Sequence, residues 1–341
     1  HIGTEGDYYT SPRVHPIFGA LVCAQIMQMW KLLQEPDRFT IVEQGAGDSV
    51  LAEDILNAAR QINQRFYQSL DYVLYDIRSV LTTTLKIRTV ESNSVDLRDI
   101  TGVVISNELL DAFPVKLVQI VNGEVMELFV TADSKGKLVE ELDEPTNKTL
   151  GSFFSKEELK SLSGYRGPVN LHLKDWVENM SKVIKDGFLI TIDYGYEREL
   201  YYSAEKSRKL LQTYYMHVDG SSPLQRIGRQ DITAHVDFTA LERAGINEGF
   251  TTLYKGRQSE WLNRLGFRDL SGIIQNRQEK RLMNQLVFED GMGYFNVLIQ
   301  SKESANLRSE FATDCNVWQD AQITLNPTKN HLSVVRNHGI A

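Results

Sequence analysis

The sequence predicts an α/β protein built on a mostly parallel, doubly wound sheet with antiparallel and helical insertions. Three observations carry that expectation. Phe39-Thr40-Ile41-Val42 is a short β-rich apolar run closed by Glu43; Gly45 and Gly47 follow at once. From Leu51 the apolar period becomes helical, with Leu51, Ile55, Ala58 or Ala59, and Ile62 on one face. Two more buried runs, Tyr72–Asp76 and Phe188–Tyr196, close on an acid, and a third, Gly102–Ser106, runs into Asn107-Glu108. In doubly wound sheets the strand ends are where ligand groups sit.

The chain opens with loop chemistry, Gly6-Asp7-Tyr8-Tyr9-Thr10-Ser11-Pro12, and the first helix is expected over Ala20–Leu33. An aromatic loop ahead of the first strand can cover a ligand or pack as a plain extension; composition does not choose. In the glycine turn, Gly45 and Gly47 let the backbone approach a ligand where a Cβ would collide. The turn enters a helix N-terminus, whose free N–H groups favour a polar or anionic group. A dinucleotide turn, G-x-G-x-x-G, would need glycine at Val50. The pattern here is acidic-x-Gly-x-Gly-x-small, from Glu43 to Ser49. A ligand-free tight turn remains open on these residues alone.

Asp76, at the end of the second strand, can accept from both ribose hydroxyls. Its distance from the glycines exceeds the usual spacing of about 20 residues, which a single long helix over Leu51–Leu70 would absorb. Glu108 and Asp111 are three apart, so on a helical turn they share a face. Two carboxylates there suit a guanidinium or a cationic amine; an exposed acidic turn capping a short helix is the alternative.

A weak segment over Thr89–Val95 precedes the Gly102 strand. Val115–Val121, Asn122-Gly123 and Glu124–Val130 form a hairpin, because Asn-Gly is the strongest short turn signal. Lys137–Leu142 adds a third strand, and helices are expected near Ser155–Leu162 and over Trp176–Ile184. After Asp231–Phe238 comes a helix through Ala244, then a strand at Thr251–Tyr254. Helices over Gln258–Leu265 and Asn276–Leu286 and a final strand over Gly291–Ile299 complete the pattern. One domain is expected over residues 1–303, with insertions at about 115–142 and 197–240, and a tail over 304–341 outside the core.

Hydrophobic content of 42% and charged content of 24% suit a globular protein, and the net charge of −8 excludes a general nucleic-acid binder, which needs a basic face. No apolar run is long enough to insert in a membrane. Cys23 and Cys315 make no disulfide framework, and no H-E-x-x-H or cysteine cluster suggests a metal. His15, His172 and His217 read as structural or exposed. A cytoplasmic location is expected, or the mitochondrial matrix for a eukaryotic source. A homodimer is compatible with the sequence.

Several segments together resemble the MidA-like class I S-adenosyl-L-methionine (SAM) methyltransferases, which include a mitochondrial protein-arginine methyltransferase of respiratory complex I assembly. They are Gly6–Pro12 with Phe18-Gly19, Glu43–Gly47, Asn107–Val115, Ile192–Tyr196 and Asp231–Phe238. The resemblance spans about residues 6–300. It implies a Rossmann-like class I SAM methyltransferase fold and SAM contacts at Gly45, Gly47, Asp76, Asn107 and Glu108. Glu43, at the strand end, would face the cationic methionine end of the cofactor. S-adenosyl-L-homocysteine would be the product, and the substrate would be an arginine on a protein such as a complex I-type subunit. Ser49 departs from the family's usual third glycine, Arg78-Ser79 from Ser-Pro, and Gly167-Pro168 from an acidic position. The family's segment ahead of Gly6 is missing, so a trimmed or incomplete chain is expected.

On this reading Glu108 and Asp111 orient the arginine and localise its charge, helped by His235 or Asp237. Two alternatives are kept: a non-catalytic assembly or binding protein on a methyltransferase fold, which the Ser49 and Pro168 departures motivate, and a small-molecule methyltransferase. An NAD-dependent oxidoreductase is disfavoured by Val50.

Overall fold

Successive residues of the inner strands of the central sheet face opposite sides, and both sides are buried. Ile41, Tyr72, Val103 and Ile190 enter one core, and Val42, Val73, Val104 and Leu189 enter the other. Runs of β-branched residues with no polar alternation are the signature of a sheet covered twice. Helices Ile17–Leu32 and Val50–Ile62 cover the first face; helices His172–Val183 and Phe238–Asn247 cover the second. The computed structural model describes residues 10–302 apart from 204, 216, 217 and 221, together with 311, 317, 318 and 323–332. The readings of Gly6–Tyr9, His217 and Cys315 lie outside the described residues.

The central strands are β1 (Phe39–Gln44), β2 (Leu70–Asp76), β3 (Ile87–Glu91), β4 (Ile100–Asn107), β5 (Ile184–Asp193), β6 (Phe250–Arg257) and β7 (Asn296–Lys302). Their order is β6-β7-β5-β4-β1-β2-β3. β1 to β5 pair in parallel, and β7 runs antiparallel to both neighbours. The winding direction reverses between β1 and β4, so the crevice at their carboxyl ends is the natural ligand site.

The antiparallel insertion is a four-stranded sheet, Leu138–Asp143, Glu124–Ala132, Lys116–Val121 and Arg166–Val169 in spatial order. Its hairpin turns on Asn122 and Gly123, both left-handed at φ 53° and 82°, as a type I′ turn requires. A second insertion pairs Leu211–Tyr215 with Val218–Asp219 and Asp231–Ala234.

Four expectations change. The first helix starts at Ile17, after a short turn of helix at Ser11–Val14. The long helix over Leu51–Leu70 is two, because Asn63 is extended and its side chain caps the second helix, Gln64–Ser69. Strand Arg166–Val169 and helix Phe267–Ile273 were not foreseen. The tail does not stay outside the core: Trp318, Ile323 and Leu332 are buried in it, and His331 Nε2 lies 2.9 Å from Asp54 Oδ2. Weak periodicity hid these contacts, which are made one residue at a time.

Candidate functional site

At the end of β1 the glycine turn has the geometry its sequence demands. Gly45 and Gly47 sit at φ 74° and 62°. A Cβ on Gly45 would stand 2.6 Å from Leu109 Cδ1, so only glycine fits. Gly47 N–H donates to Asp76 Oδ2 at 2.8 Å, which locks the turn to the end of β2. The other Asp76 oxygen accepts from Arg78 N–H at 2.9 Å. Asp48 Oδ1 accepts from Val50 N–H and satisfies the helix start, and Asp48 also pairs with Arg13. Ser49 occupies the third small position, its hydroxyl donating to Glu53 Oε1 at 2.8 Å, and the turn is intact around it. Pro168 lies on an insertion strand paired with Lys116–Gln119, not in this turn.

Glu43, Gly45, Ala46, Asp48, Asn107 and Glu108 line one small cavity of about 20 Å³, roofed by Thr10 and Pro12. The roof is pinned, since Ser11 N–H donates to Glu108 Oε1 at 2.9 Å. Asn107 Nδ2 donates to the same oxygen, and Asn107 Oδ1 is buried without a partner. Glu43 Oε2 accepts from the Tyr72 hydroxyl at 2.8 Å. Burial pushes both Glu43 and Glu108 up to about 8. Among the described residues neither meets a cation, which suits a cationic group. The lining has the acceptors a cationic group needs, but with the roof in place the space of about 20 Å³ holds no more than a water.

Glu108 and Asp111 do not share one helical face. Glu108 is left-handed at φ 52°, ahead of the 3₁₀ turn Leu110–Ala112, and the two carboxylates bond in different directions. Asp111 Oδ2 accepts from the Tyr194 hydroxyl at 2.5 Å. Asp193 Oδ2 accepts the N–H groups of Leu110 and Asp111 at 3.0 and 3.2 Å and so fixes the turn that carries Asp111. Burial raises Asp111 to about 6, against the Tyr194 bond. Asp193 and Tyr194 were missed as site residues, although an acid and a tyrosine closing a buried strand were the available signal.

His235 reaches this cluster through aromatic contact. Its ring stacks on Tyr196 at 5.2 Å and meets Tyr194 edge-on at 5.0 Å. Burial lowers it to about 4, so it is neutral, with Nδ1 3.2 Å from the Leu210 carbonyl. Asp237 stands apart. Its side chain caps helix Phe238–Asn247 through Ala240 N–H and pairs with Arg198 at 3.2 Å. Among the described residues no group of three His, Cys, Asp or Glu could hold a metal ion, and no helix is long and apolar enough to cross a membrane.

Comparison with known proteins adds four findings. The family described as "Putative S-adenosyl-L-methionine-dependent methyltransferase" has a model that matches residues 21–255. The mitochondrial protein arginine methyltransferase NDUFAF7 homolog of Drosophila melanogaster is 25% identical over 288 residues, 72% of this chain and 62% of that one. The chain therefore spans about three-fifths of that relative's length. Mitochondrial NDUFAF7 of Xenopus tropicalis is 23% identical over 347 residues, 88% of this chain and 77% of its own. A Burkholderia thailandensis protein solved with S-adenosyl-homocysteine superposes with a TM-score of 0.75 at 23% identity, covering 88% of this chain and 81% of that one. At that identity the likeness establishes the fold.

Proposed function

The chain belongs to this family of SAM-dependent methyltransferases, and from that premise we propose that it methylates an arginine side chain of a protein. The observation that carries the reading is the pair of buried carboxylates, Glu108 and Asp111, at the carboxyl end of β4 beside the glycine turn. The relatives named as protein arginine methyltransferases support it. The same relatives are named as mitochondrial, which favours a mitochondrial location over a cytoplasmic one, and a complex I-type subunit is the substrate that the sequence resemblance implies.

SAM supplies an electrophilic methyl group on a sulfonium. On our reading Glu43 and Glu108 hold the cationic end of the cofactor, Gly45 and Gly47 admit it close to the backbone, and Asp76 meets the ribose. Asn107 Oδ1 is a further acceptor. Methyl transfer is an in-line displacement, so the protein's work is positioning and keeping one guanidinium nitrogen free to attack. Arginine is otherwise protonated in water. Asp111 would localise that charge, Tyr194 would hold Asp111, and neutral His235 would help take the proton released. We assign Asp237 to holding the insertion through Arg198.

Calorimetric titration with S-adenosyl-L-homocysteine tests the cofactor site. Micromolar binding, about −8 kcal/mol, is expected from the parent and not from Gly45→Val. Mass spectrometry of partner proteins incubated with SAM should then find methylated arginine, lost in Glu108→Gln and Asp111→Asn. The roofed cavity of about 20 Å³ favours one second reading, an assembly protein that holds a partner without turnover. That reading wins if the parent binds no S-adenosyl-L-homocysteine.

A further inference from the structure

A groove of about 420 Å³ lies between the insertion sheet and strand Asp231–Ala234. That size is within the range of ligand sites, about 300–1,000 Å³. Phe113, Leu117, Leu128, Val130, Leu211 and Ile232 give it apolar walls. Strand register explains the facing: Leu128 pairs with Leu142 and Val130 with Glu140, so these four side chains share one side of the sheet. Val130 is 54% exposed, Ile232 48% and Leu142 40%. Large apolar side chains gathered in a concave exposed site mark an interaction surface.

The groove borders the two elements that carry Asp111 and Asp231. Ala112 and Thr233 line it, and Asp111 directly precedes Ala112. Asp231 lies near enough to Asp111 to disfavour its charge. Two acids therefore flank the inner end, the buried Asp111 and the half-buried Asp231. Glu140, also in the lining, is neutralised by Arg166. A cation at one end and apolar side chains along the length is the complement of this surface. A small amine would occupy the acidic end and leave the walls uncovered.

We propose that this groove seats an extended segment of the protein substrate, with the target arginine at the acidic end and a large apolar residue beside it along the walls. The inference rests on the protein-arginine reading of the site and adds the sequence context that the substrate must have. Fluorescence anisotropy with short synthetic peptides tests it, in the presence of S-adenosyl-L-homocysteine. Each peptide carries one central arginine with leucine, serine or glutamate as neighbours. Leucine-flanked peptides should bind about tenfold more tightly than serine-flanked ones, a difference of roughly 1.4 kcal/mol. Val130→Lys and Ile232→Lys should each weaken binding about tenfold, with the melting temperature unchanged. Ile246→Lys, an exposed site on helix Phe238–Asn247, should bind as the parent does. Equal binding by all three flanks, or by the two groove variants, overturns the proposal. So does a concentration-dependent dimer that Val130→Lys abolishes, since a second copy would then own the groove. Citrulline in place of the arginine separates the two readings. If only the arginine reading fails, citrulline binds equally well while the groove variants still weaken binding. If only the groove fails, the reverse is seen.

Discussion

The Tyr194 hydroxyl donates to Asp111 Oδ2 across 2.5 Å. Oδ1 of the same carboxylate accepts no well-formed hydrogen bond, although the N–H groups of Asp111 and Ala112 lie nearby. Tyr194→Phe keeps the ring contacts with His235 and Phe295 and removes this one donor. The donor favours the charged carboxylate, so its loss should move Asp111 upward from about 6. The acidic limb of the rate–pH profile should shift up with it. We expect kcat at neutral pH to fall at least about tenfold, with S-adenosyl-L-homocysteine affinity unchanged. A merely structural Tyr194 would lower the melting temperature and leave the limb in place.

Glu108 and Glu43 set the pH dependence of stability. Each rises from 4.5 to about 8 in the folded protein. Between those values the folded chain keeps a proton that the unfolded chain has lost, so stability falls as pH rises. Their contribution is complete below about 4.5 and gone above about 8. Thermal melts from pH 5 to 8 should show a falling midpoint, flattened in Glu108→Gln. A bound sulfonium reverses the preference, so SAM binding at pH 7 should release protons. Calorimetry in buffers of different ionisation enthalpy reads that release directly.

His331→Ala should destabilise the protein. His331 and Asp54 are 1% and 7% exposed, and the mutation would leave the Asp54 carboxyl buried without its partner. Stranding such a group costs about 3 kcal/mol. A downward shift of the midpoint by roughly 4 °C is expected in thermal denaturation. A shift under one degree would mean that the tail contact contributes nothing.

Asp237→Ala should act on stability and not on chemistry. It removes the cap of helix Phe238–Asn247, worth about 1 kcal/mol, and leaves Arg198 with Glu158 alone. Arg198 also lies over the Tyr202 ring at 4.8 Å, so the insertion packs around this side chain. Melting should drop while kcat per folded molecule holds. A large loss of kcat at full folding would return Asp237 to the reacting groups.

The central sheet was legible because its strands are unbroken apolar runs whose ends are marked by acids and glycines. The glycine turn was legible for the same reason: Gly45 and Gly47 leave a pattern no other residue types can make. What could not be read was direction. Glu108 and Asp111 looked like neighbours on one helical face, yet the left-handed Glu108 turns one toward Ser11 and the other toward Tyr194. A glutamate at positive φ, unlike glycine or asparagine, leaves no sequence signal. Tail residues such as Trp318 and His331 were missed because single buried side chains in polar surroundings make no period. Asp237 matched a motif, and a motif does not distinguish a helix cap from a reacting acid.

The seat of Thr10 and Pro12 over the glycine turn has a kinetic consequence. With about 20 Å³ of space beneath it, no nucleoside can enter while Ser11 is bound to Glu108. Ligand capture must wait for that contact to open. The observed association rate should therefore rise with ligand concentration and then level off at the opening rate, instead of climbing linearly as it does for an open cleft. On the proposed assignment of Glu108 to the cofactor, the Ser11 N–H would compete with it for one carboxylate oxygen, so the same contact that slows entry would also help expel the spent nucleoside.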